Sequence, residues 1–236
     1  MKNIKIIIIL FSFLFCILWT KAQTLESSTI TDIDSNVYKT VVIGRQIWMT
    51  ENLRTTSYRD GNQIQLIKDS SWSNITSGAY CWYDNHLSNA LKYGALYNWY
   101  AVNTGNLCPT AWRVPSDKDW KYLEGYIDSR FRNYDSIWND TMLRGYDAGK
   151  VLKGKLGWNS NGNGLDLYGF SALPAGERSI NKLSFRHIGN NGFWWTSNES
   201  DSTNAWYRCL VFFDERIIRN THPKGMGFSV RCMKNL

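Results

Sequence analysis

The N-terminal segment determines the compartment in which the rest of the chain folds. Lys2 and Lys5 precede an apolar run from Ile6 to Trp19, which ends before Thr20, Lys21 and Ala22. A basic start, an apolar centre and a small residue before the cut are typical of a secretory signal peptide, here residues 1–22. The apolar run is shorter than the roughly 20 residues that a membrane-spanning helix needs, so we expect no membrane span in the mature chain.

Two alternatives to simple secretion stay open. An uncleaved segment would anchor the protein, and Cys16 suggests a lipoprotein. Phe15 stands where lipoprotein processing requires a small residue, which argues against lipidation. We expect a secreted or cell-surface protein with a polar tether over residues 23–30 and one domain over residues 31–234.

Export places the cysteines in an oxidising environment, where thiols pair as disulfides. Cys81, Cys108, Cys209 and Cys232 remain after cleavage, and an even number predicts two bridges. Spacing leaves every pairing open, and buried free thiols are the alternative. A bridge between Cys108 and Cys232 would close a long loop and contribute about 4 kcal/mol through the entropy of the unfolded chain.

The charge pattern argues against nucleic acid as a partner. The formal net charge of the whole chain is +7, and removal of the three signal-peptide lysines lowers it. The basic residues of the domain form no run or stripe, so the domain lacks the electrostatic footprint of a nucleic-acid-binding protein.

Two segments of the N-terminal half predict local structure. Residues 37–43 and 46–49 are rich in β-branched and aromatic side chains and flank Gly44-Arg45, which predicts a β-hairpin. Apolar residues recur over residues 93–102, which predicts a short helix despite the cost of Gly94.

A clearer helix begins after Ser116, because Ser116 and Asp119 have the spacing of a capping box. The helical period predicts one buried stripe and one face toward water. The buried stripe consists of Trp120, Leu123 and Ile127, and the water-facing residues are Lys118, Lys121 and Glu124.

The C-terminal half carries no helical period. Short β-type segments over residues 193–196, 205–213, 216–219 and 227–233 alternate with glycine-rich and asparagine-rich loops, which predicts a β meander. Together with the helix after Ser116, this pattern predicts an α+β protein with a twisted antiparallel sheet and one or two helices.

Five ordered segments resemble one known family. They are YKTVVIGRQIWMTENL at residues 38–53, YGALYNWYA at 93–101, CPTAWRVPSD at 108–117, GFSALPAG at 169–176 and GFSVRC at 227–232. Together they resemble the Fibrobacter succinogenes major paralogous domain, a module of secreted and surface proteins, over residues 31–234.

The resemblance implies a fold and a disulfide. Residues 113–120 also resemble the helix-opening segment of C-type-lectin-like folds and of formylglycine-generating enzymes. In that superfold a bridge usually joins the segment before a helix to the last strand, which implies Cys108–Cys232. We also predict a bridge between Cys81 and Cys209, with free thiols as the alternative.

Enzyme chemistry is not expected. Formylglycine-generating enzymes bind copper through a close cysteine pair, whereas this chain has only Cys209 near the similar position. None of the histidines belongs to a zinc or nucleophile motif. A glycosidase needs two carboxylates, and we consider five scattered candidates. They are Glu177, Glu199, Asp201, Asp214 and Glu215.

One weak metal site is predicted, and no other cofactor. Asp32, Asp34 and Asn36 resemble the opening of a calcium loop, but Ile43 stands where the twelfth position requires glutamate. A hydrogen-bonded turn is the alternative.

Twelve tryptophans suggest an aromatic binding surface. Most are expected in the core, among them Trp48, Trp99, Trp112, Trp120 and Trp195, which lie in patterned elements. The predicted ligand-binding residues are Trp158, Asn161, Trp194, Trp206 and Arg208, which lie in or beside loops and late strands. We therefore expect a non-catalytic binding or adhesion module for a glycan or an extracellular protein, with a glycan-active enzyme and a structural envelope component as alternatives.

Overall fold

The structure is a computed structural model that describes residues 28–180 and 184–236. The predicted signal peptide, residues 1–22, lies outside the described residues, as do residues 23–27 of the predicted tether. The first strand begins at Thr29, so it includes the last two residues of the predicted tether. Ile30 of this strand pairs with Tyr38. None of the helices in the described part of the chain has the length and apolar character of a membrane-spanning segment.

The described residues form an α+β fold with mainly antiparallel sheets and few helices. The strands are β1 (Thr29–Thr31), β2 (Val37–Ile43), β3 (Gln46–Met49), β4 (Gln65–Leu66), β5 (Ala79–Cys81), β6 (Leu96–Tyr97), β7 (Met142–Arg144), β8 (Ala175–Arg178), β9 (Phe185–Ile188), β10 (Asn191–Glu199), β11 (Asn204–Val211), β12 (Ile217–Pro223) and β13 (Met233–Asn235). The α-helices are α1 (Ala90–Tyr93), α2 (Trp99–Asn103), α3 (Asp117–Ile127) and α4 (Ala148–Leu152). Short 3₁₀ helices span Ser70–Asn74, Tyr83–Asn85, Leu87–Asn89 and Ser136–Asn139.

The first sheet has the order β1-β2-β3-β13 and joins the two ends of the domain. The predicted hairpin of β2 and β3 is confirmed, with Ile43 opposite Gln46. Gly44 has φ +62°, a left-handed conformation that glycine adopts at low cost in a tight hairpin turn. β13 then pairs antiparallel with β3, with Met233 opposite Trp48.

The largest sheet has the order β7-β12-β11-β10-β8-β9. Strands β10, β11 and β12 run antiparallel in succession, so the predicted meander is confirmed there. The predicted strand over residues 227–233 is wrong except at Met233, where β13 begins. Gly227, Phe228 and Ser229 instead make single bridges to three different strands, because this segment crosses between the sheets.

The predicted helix over residues 93–102 is interrupted. Gly94 has φ +75° and ends α1, and a side chain there would meet the backbone of Leu53. Leu96 then enters β6, which pairs with β5. The second helix, α2, begins only after Asn98, whose side chain accepts a hydrogen bond from the Ala101 amide.

Helix α3 confirms the predicted capping box, because the Ser116 and Asp119 side chains each accept from the backbone amide of the other residue. The predicted buried stripe of Trp120, Leu123 and Ile127 is also confirmed.

The prediction that Glu124 faces water is wrong, because its side chain is fully buried. Glu124 Oε1 accepts from Arg208 Nε at 2.6 Å, and Glu124 Oε2 accepts from Arg144. Arg208 Nη1 also donates to Asp117 at 2.9 Å. These bonds attach α3 to strands β7 and β11, which the helical period alone does not reveal.

The disulfide between Cys108 and Cys232 is present, and their Cα atoms lie 5.9 Å apart. The predicted bridge between Cys81 and Cys209 is wrong, because both are buried free thiols. They lie on different sheets and pack in different hydrophobic clusters. Burial raises the pKa of the Cys81 thiol to about 11, so this thiol is protonated at neutral pH.

The tryptophans that the pattern assigns to the core are buried as predicted. Trp48, Trp99, Trp112, Trp120 and Trp195 all have relative exposures of 5% or less. Trp48 and Trp120 contact each other and Phe170 in a cluster between α3 and the first sheet. Large apolar side chains of this kind contribute most of the hydrophobic stabilisation of a domain.

Thiol accessibility tests the cysteine assignment. When the oxidised protein is unfolded without reductant, we expect iodoacetamide to modify Cys81 and Cys209 but not Cys108 or Cys232. Reductant should make all four reactive. Peptide mass spectrometry measures each site, and an unreduced, unfolded chain without any reactive thiol would contradict the structure.

A stability measurement tests the buried ion pairs. Glu124→Gln leaves the buried Arg144 without its counter-charge and Arg208 with Asp117 alone, so we expect the free energy of unfolding to fall by about 3–5 kcal/mol. Glu215→Gln is the control, because Glu215 pairs with Lys150 at the surface and its loss should cost less than about 1 kcal/mol. Urea denaturation compares the two, and equal losses would count against the anchoring role of Glu124.

Candidate functional site

Two of the tryptophans predicted to bind a ligand are core residues. Trp194 is 1% exposed, and its indole N–H donates to Asn52 Oδ1 at 2.8 Å. Trp158 is 5% exposed and donates to the Ala172 carbonyl at 3.0 Å. The structure therefore corrects the assignment of both residues to a binding face, because their rings and N–H groups are already satisfied inside the domain.

The prediction for Arg208 needs the same correction, since its guanidinium is fully buried between Glu124 and Asp117. Trp206 is partly exposed, but the guanidinium of Arg219 lies 3.5 Å above its ring. Asn161 is exposed in the asparagine-rich loop. The five predicted residues therefore do not form one exposed site.

The predicted calcium ligands serve a turn. The Asp32 carboxylate accepts from the backbone amides of Asp34 and Asn36 and from the Tyr38 hydroxyl at 2.6 Å. The Asp34 carboxylate accepts hydrogen bonds from residues 55–57, which lower its pKa although burial acts in the opposite direction. These contacts match the hydrogen-bonded turn. Within residues 28–180 and 184–236, no three His, Cys, Asp or Glu side chains are grouped as a metal site.

Most of the carboxylates considered for a glycosidase pair have structural partners. Glu199 binds Lys224, Glu215 binds Lys150, Asp214 binds Arg216, and Asp201 accepts from Thr203 and Asn204. These side chains are therefore engaged as ion pairs and turn acceptors.

Glu177 differs from the other four carboxylates. Its side chain is 9% exposed, it makes no hydrogen bond to any described residue, and its Oε1 lies 3.7 Å from His187 Nε2. Burial raises the pKa of Glu177 to about 7, and the charge of Arg186 offsets only part of that shift. Burial also lowers the pKa of His187. The Glu177 carboxyl is therefore partly protonated at neutral pH.

An exposed band of tyrosines lies on the outer side of α3. Tyr122 and Tyr126, one helical turn apart, have near-parallel rings with centroids 6.3 Å apart. The Tyr168 ring lies 6.1 Å from Tyr126 and extends the row beyond the helix. Tyr126 is 42% exposed and Tyr168 36%, so both rings contact water. We call these three side chains the tyrosine band.

Three open grooves adjoin the tyrosine band. Tyr168 lines one of about 410 Å³, and Tyr122 lines two others of about 270 Å³ and 370 Å³. Tyr134, which is 93% exposed, stands at the edge of the 270 Å³ groove. Lys118 and Tyr122 line both the 270 Å³ and the 370 Å³ groove. The 410 Å³ groove shares no lining residue with these two, and it is linked to them through the ring contact of Tyr126 with Tyr168. Concave surfaces lined by aromatic rings and a few polar groups are typical binding sites.

Another groove, of about 620 Å³, lies beside the Asp34 turn. Leu87 and Leu91 line it and are strongly exposed, whereas the Trp82 ring at the same groove is only 7% exposed. This groove offers apolar side chains but little aromatic surface. The tyrosine band is therefore the better candidate for recognition of an amphipathic ligand.

Sequence reasoning missed the tyrosine band because it weighed tryptophans over tyrosines. The signal was available in the spacing of Tyr122 and Tyr126, which places both on one face of the predicted helix, opposite Trp120 and Leu123. The proximity of Tyr168 was not available, because it depends on how the loop after Gly164 packs against α3.

The family model for the Fibrobacter succinogenes major domain matches residues 41–234. The match covers both ends of the disulfide and the whole tyrosine band. Comparison with curated proteins and with solved structures finds no match.

The raised pKa of Glu177 predicts a pH-dependent stability. The folded protein binds this proton more tightly than the unfolded chain, so stability falls as the pH rises from about 4.5 to about 7, by no more than about 3 kcal/mol. Glu177→Gln should remove that loss, and the variant should therefore gain on the wild type across this range. Glu199→Gln is the control at an exposed carboxylate. Parallel curves of unfolding free energy against pH for wild type and Glu177→Gln would contradict the prediction.

Proposed function

Because the chain belongs to the Fibrobacter succinogenes major domain family, we propose that it is a non-catalytic binding module that recognises a glycan outside the cytoplasm. The observation that supports this function is the row of neighbouring tyrosine rings on the outer side of α3, with a groove at either end. Tyrosine rings present a flat apolar face and a polar hydroxyl, which match the apolar faces and hydroxyl rim of a sugar ring.

The location of the band favours a glycan over a large protein partner. Polar and charged side chains surround the rings, including Lys39, Lys118 and Asn133. A protein interface usually has a central apolar cluster, whereas these aromatic rings form a narrow row. Tyrosine also provides contact area at low cost in conformational entropy, because few of its torsions must be fixed.

We propose in addition that the fold is of the C-type-lectin-like and formylglycine-generating-enzyme-like class. The bridge from Cys108, before α3, to Cys232, beside the last strand, supports this assignment. The same bridge supports a secreted or cell-surface location, since structural disulfides persist in oxidising compartments.

A glycan-binding panel tests the proposed function. We expect the mature protein to bind at least one plant or host polysaccharide, and we expect Tyr126→Ala to weaken that binding about tenfold, or about 1.4 kcal/mol. Tyr126 contacts both other rings of the tyrosine band. Tyr146→Ala is the matched control, because Tyr146 is an exposed tyrosine that lies outside the band and its grooves. Isothermal titration calorimetry measures both variants.

Three outcomes of this panel would overturn the proposal. Equal effects of the two tyrosine substitutions would place the site elsewhere. Release of reducing sugar from the polysaccharide would favour the glycan-active enzyme, and the absence of binding to every glycan would favour a structural or protein-binding role.

A further inference from the structure

We infer that the ligand of the tyrosine band is an acidic glycan, one that carries carboxylate or sulfate groups along its chain. This inference rests on the proposed function and specifies its class of ligand. It follows from the charged side chains around the band. Cationic side chains outnumber acidic ones there, and most of the cations have no ion-pair partner, whereas the acids have bonding partners.

Four cationic side chains line the three grooves beside the tyrosine band. They are Lys39, Arg45, Lys118 and Lys121. Of these four side chains, only Lys121 forms an ion pair with a described residue. Its partner is Asp117, at 3.0 Å. The other three reach into the grooves from exposed positions without an ion pair in the described chain.

Two acidic side chains line the same grooves, and both are engaged. Asp119 forms an ion pair with Arg113 and accepts from the Ser116 amide at 2.7 Å. Asp135 accepts from the Ile137 amide at 3.1 Å and begins a 3₁₀ helix. Their negative charge is thus partly compensated by neighbouring donors, whereas most of the cationic charge is not.

The positions of the cations fit a chain that follows the band. Lys118 lines both grooves beside Tyr122, and Lys39 lines the groove of Tyr168 at the other end. Arg45 follows Gly44, whose backbone packs against the rings of Tyr122 and Tyr126. Leu236 lies in the Arg45 groove, and its amide donates to the Arg45 carbonyl.

Physical chemistry makes this arrangement selective for acidic sugars. The rings supply contact with the sugar faces, which neutral and acidic glycans share. Unpaired exposed cations attract anionic groups over a distance of roughly one Debye length and speed association. A neutral glycan gains only the contact with the rings. An acidic glycan also gains the attraction of the cations, so charge distinguishes acidic from neutral glycans.

Matched polymer pairs test the inference. Polygalacturonate is compared with its methyl ester, and dextran sulfate with dextran, by titration calorimetry at low salt. We expect at least one acidic polymer to bind about tenfold more tightly than its neutral counterpart. About 0.5 M salt should remove most of that difference, because it shortens the Debye length to a few ångströms.

Charge variants locate the effect. Arg45→Gln with Lys118→Gln should weaken binding of the acidic polymer about fivefold or more and should weaken binding of the neutral polymer much less. Lys68→Gln with Lys155→Gln is the matched control, because these exposed lysines line none of the three grooves. All four substitutions are at exposed side chains, so circular dichroism should show folded protein in each case.

The outcomes separate this inference from the proposed function. Equal binding of acidic and neutral polymers, with no effect of the double variant, would overturn acid selectivity while glycan binding stands. Binding of double-stranded DNA at the same affinity and with the same dependence on Arg45 and Lys118 would overturn it in favour of general polyanion binding. Failure of every polymer to bind would overturn the proposed function itself.

Discussion

A single buried carboxylate holds the longest helix of the described chain against the largest sheet. Glu124 is fully buried and accepts hydrogen bonds from Arg208 and Arg144. Arg208 reaches on to Asp117, and Asp117 also binds Arg219 through two bonds. Charged groups inside a protein are tolerated only when they are paired and hydrogen-bonded, so these partners define the position of the inner face of α3. The outer face then displays the tyrosines.

Several tryptophans stabilise the scaffold through a hydrogen-bonded N–H group as well as through burial, although the buried Trp120 N–H has no partner among the described residues. The Asn52 side chain accepts from Trp194 and Arg231 and donates to the Tyr93 carbonyl, so it joins three separate parts of the chain. Trp48 donates in the same way to Gln46 at 3.0 Å. This core uses most of the indole rings of the domain. The aromatic side chains at the candidate site are therefore tyrosines.

A rigid helix is a suitable platform for recognition of a polymer. The rings of the tyrosine band already lie in a row on one element and an adjoining loop, so the proposed binding of a sugar chain would require no rearrangement of them. Preorganised contacts lower the entropic cost of binding. In the proposed complex, the cations without an ion-pair partner would add a preference for acidic ligands, because charge acts at longer range than ring contact.

The sequence by itself determined the local features: the hairpin around Gly44, the capping box of Ser116 and Asp119, and the family membership. Each depends on residues close together in the chain or on ordered motifs. Only the tertiary structure decided that Glu124 is buried, that Cys81 and Cys209 are unpaired, and that Tyr168 joins the tyrosines of α3. Helical periodicity reports which side chains share a face, but not which partner that face meets. Burial, thiol pairing and the makeup of a surface depend on contacts between segments far apart in sequence, and these are fixed only when the sheets and helices pack.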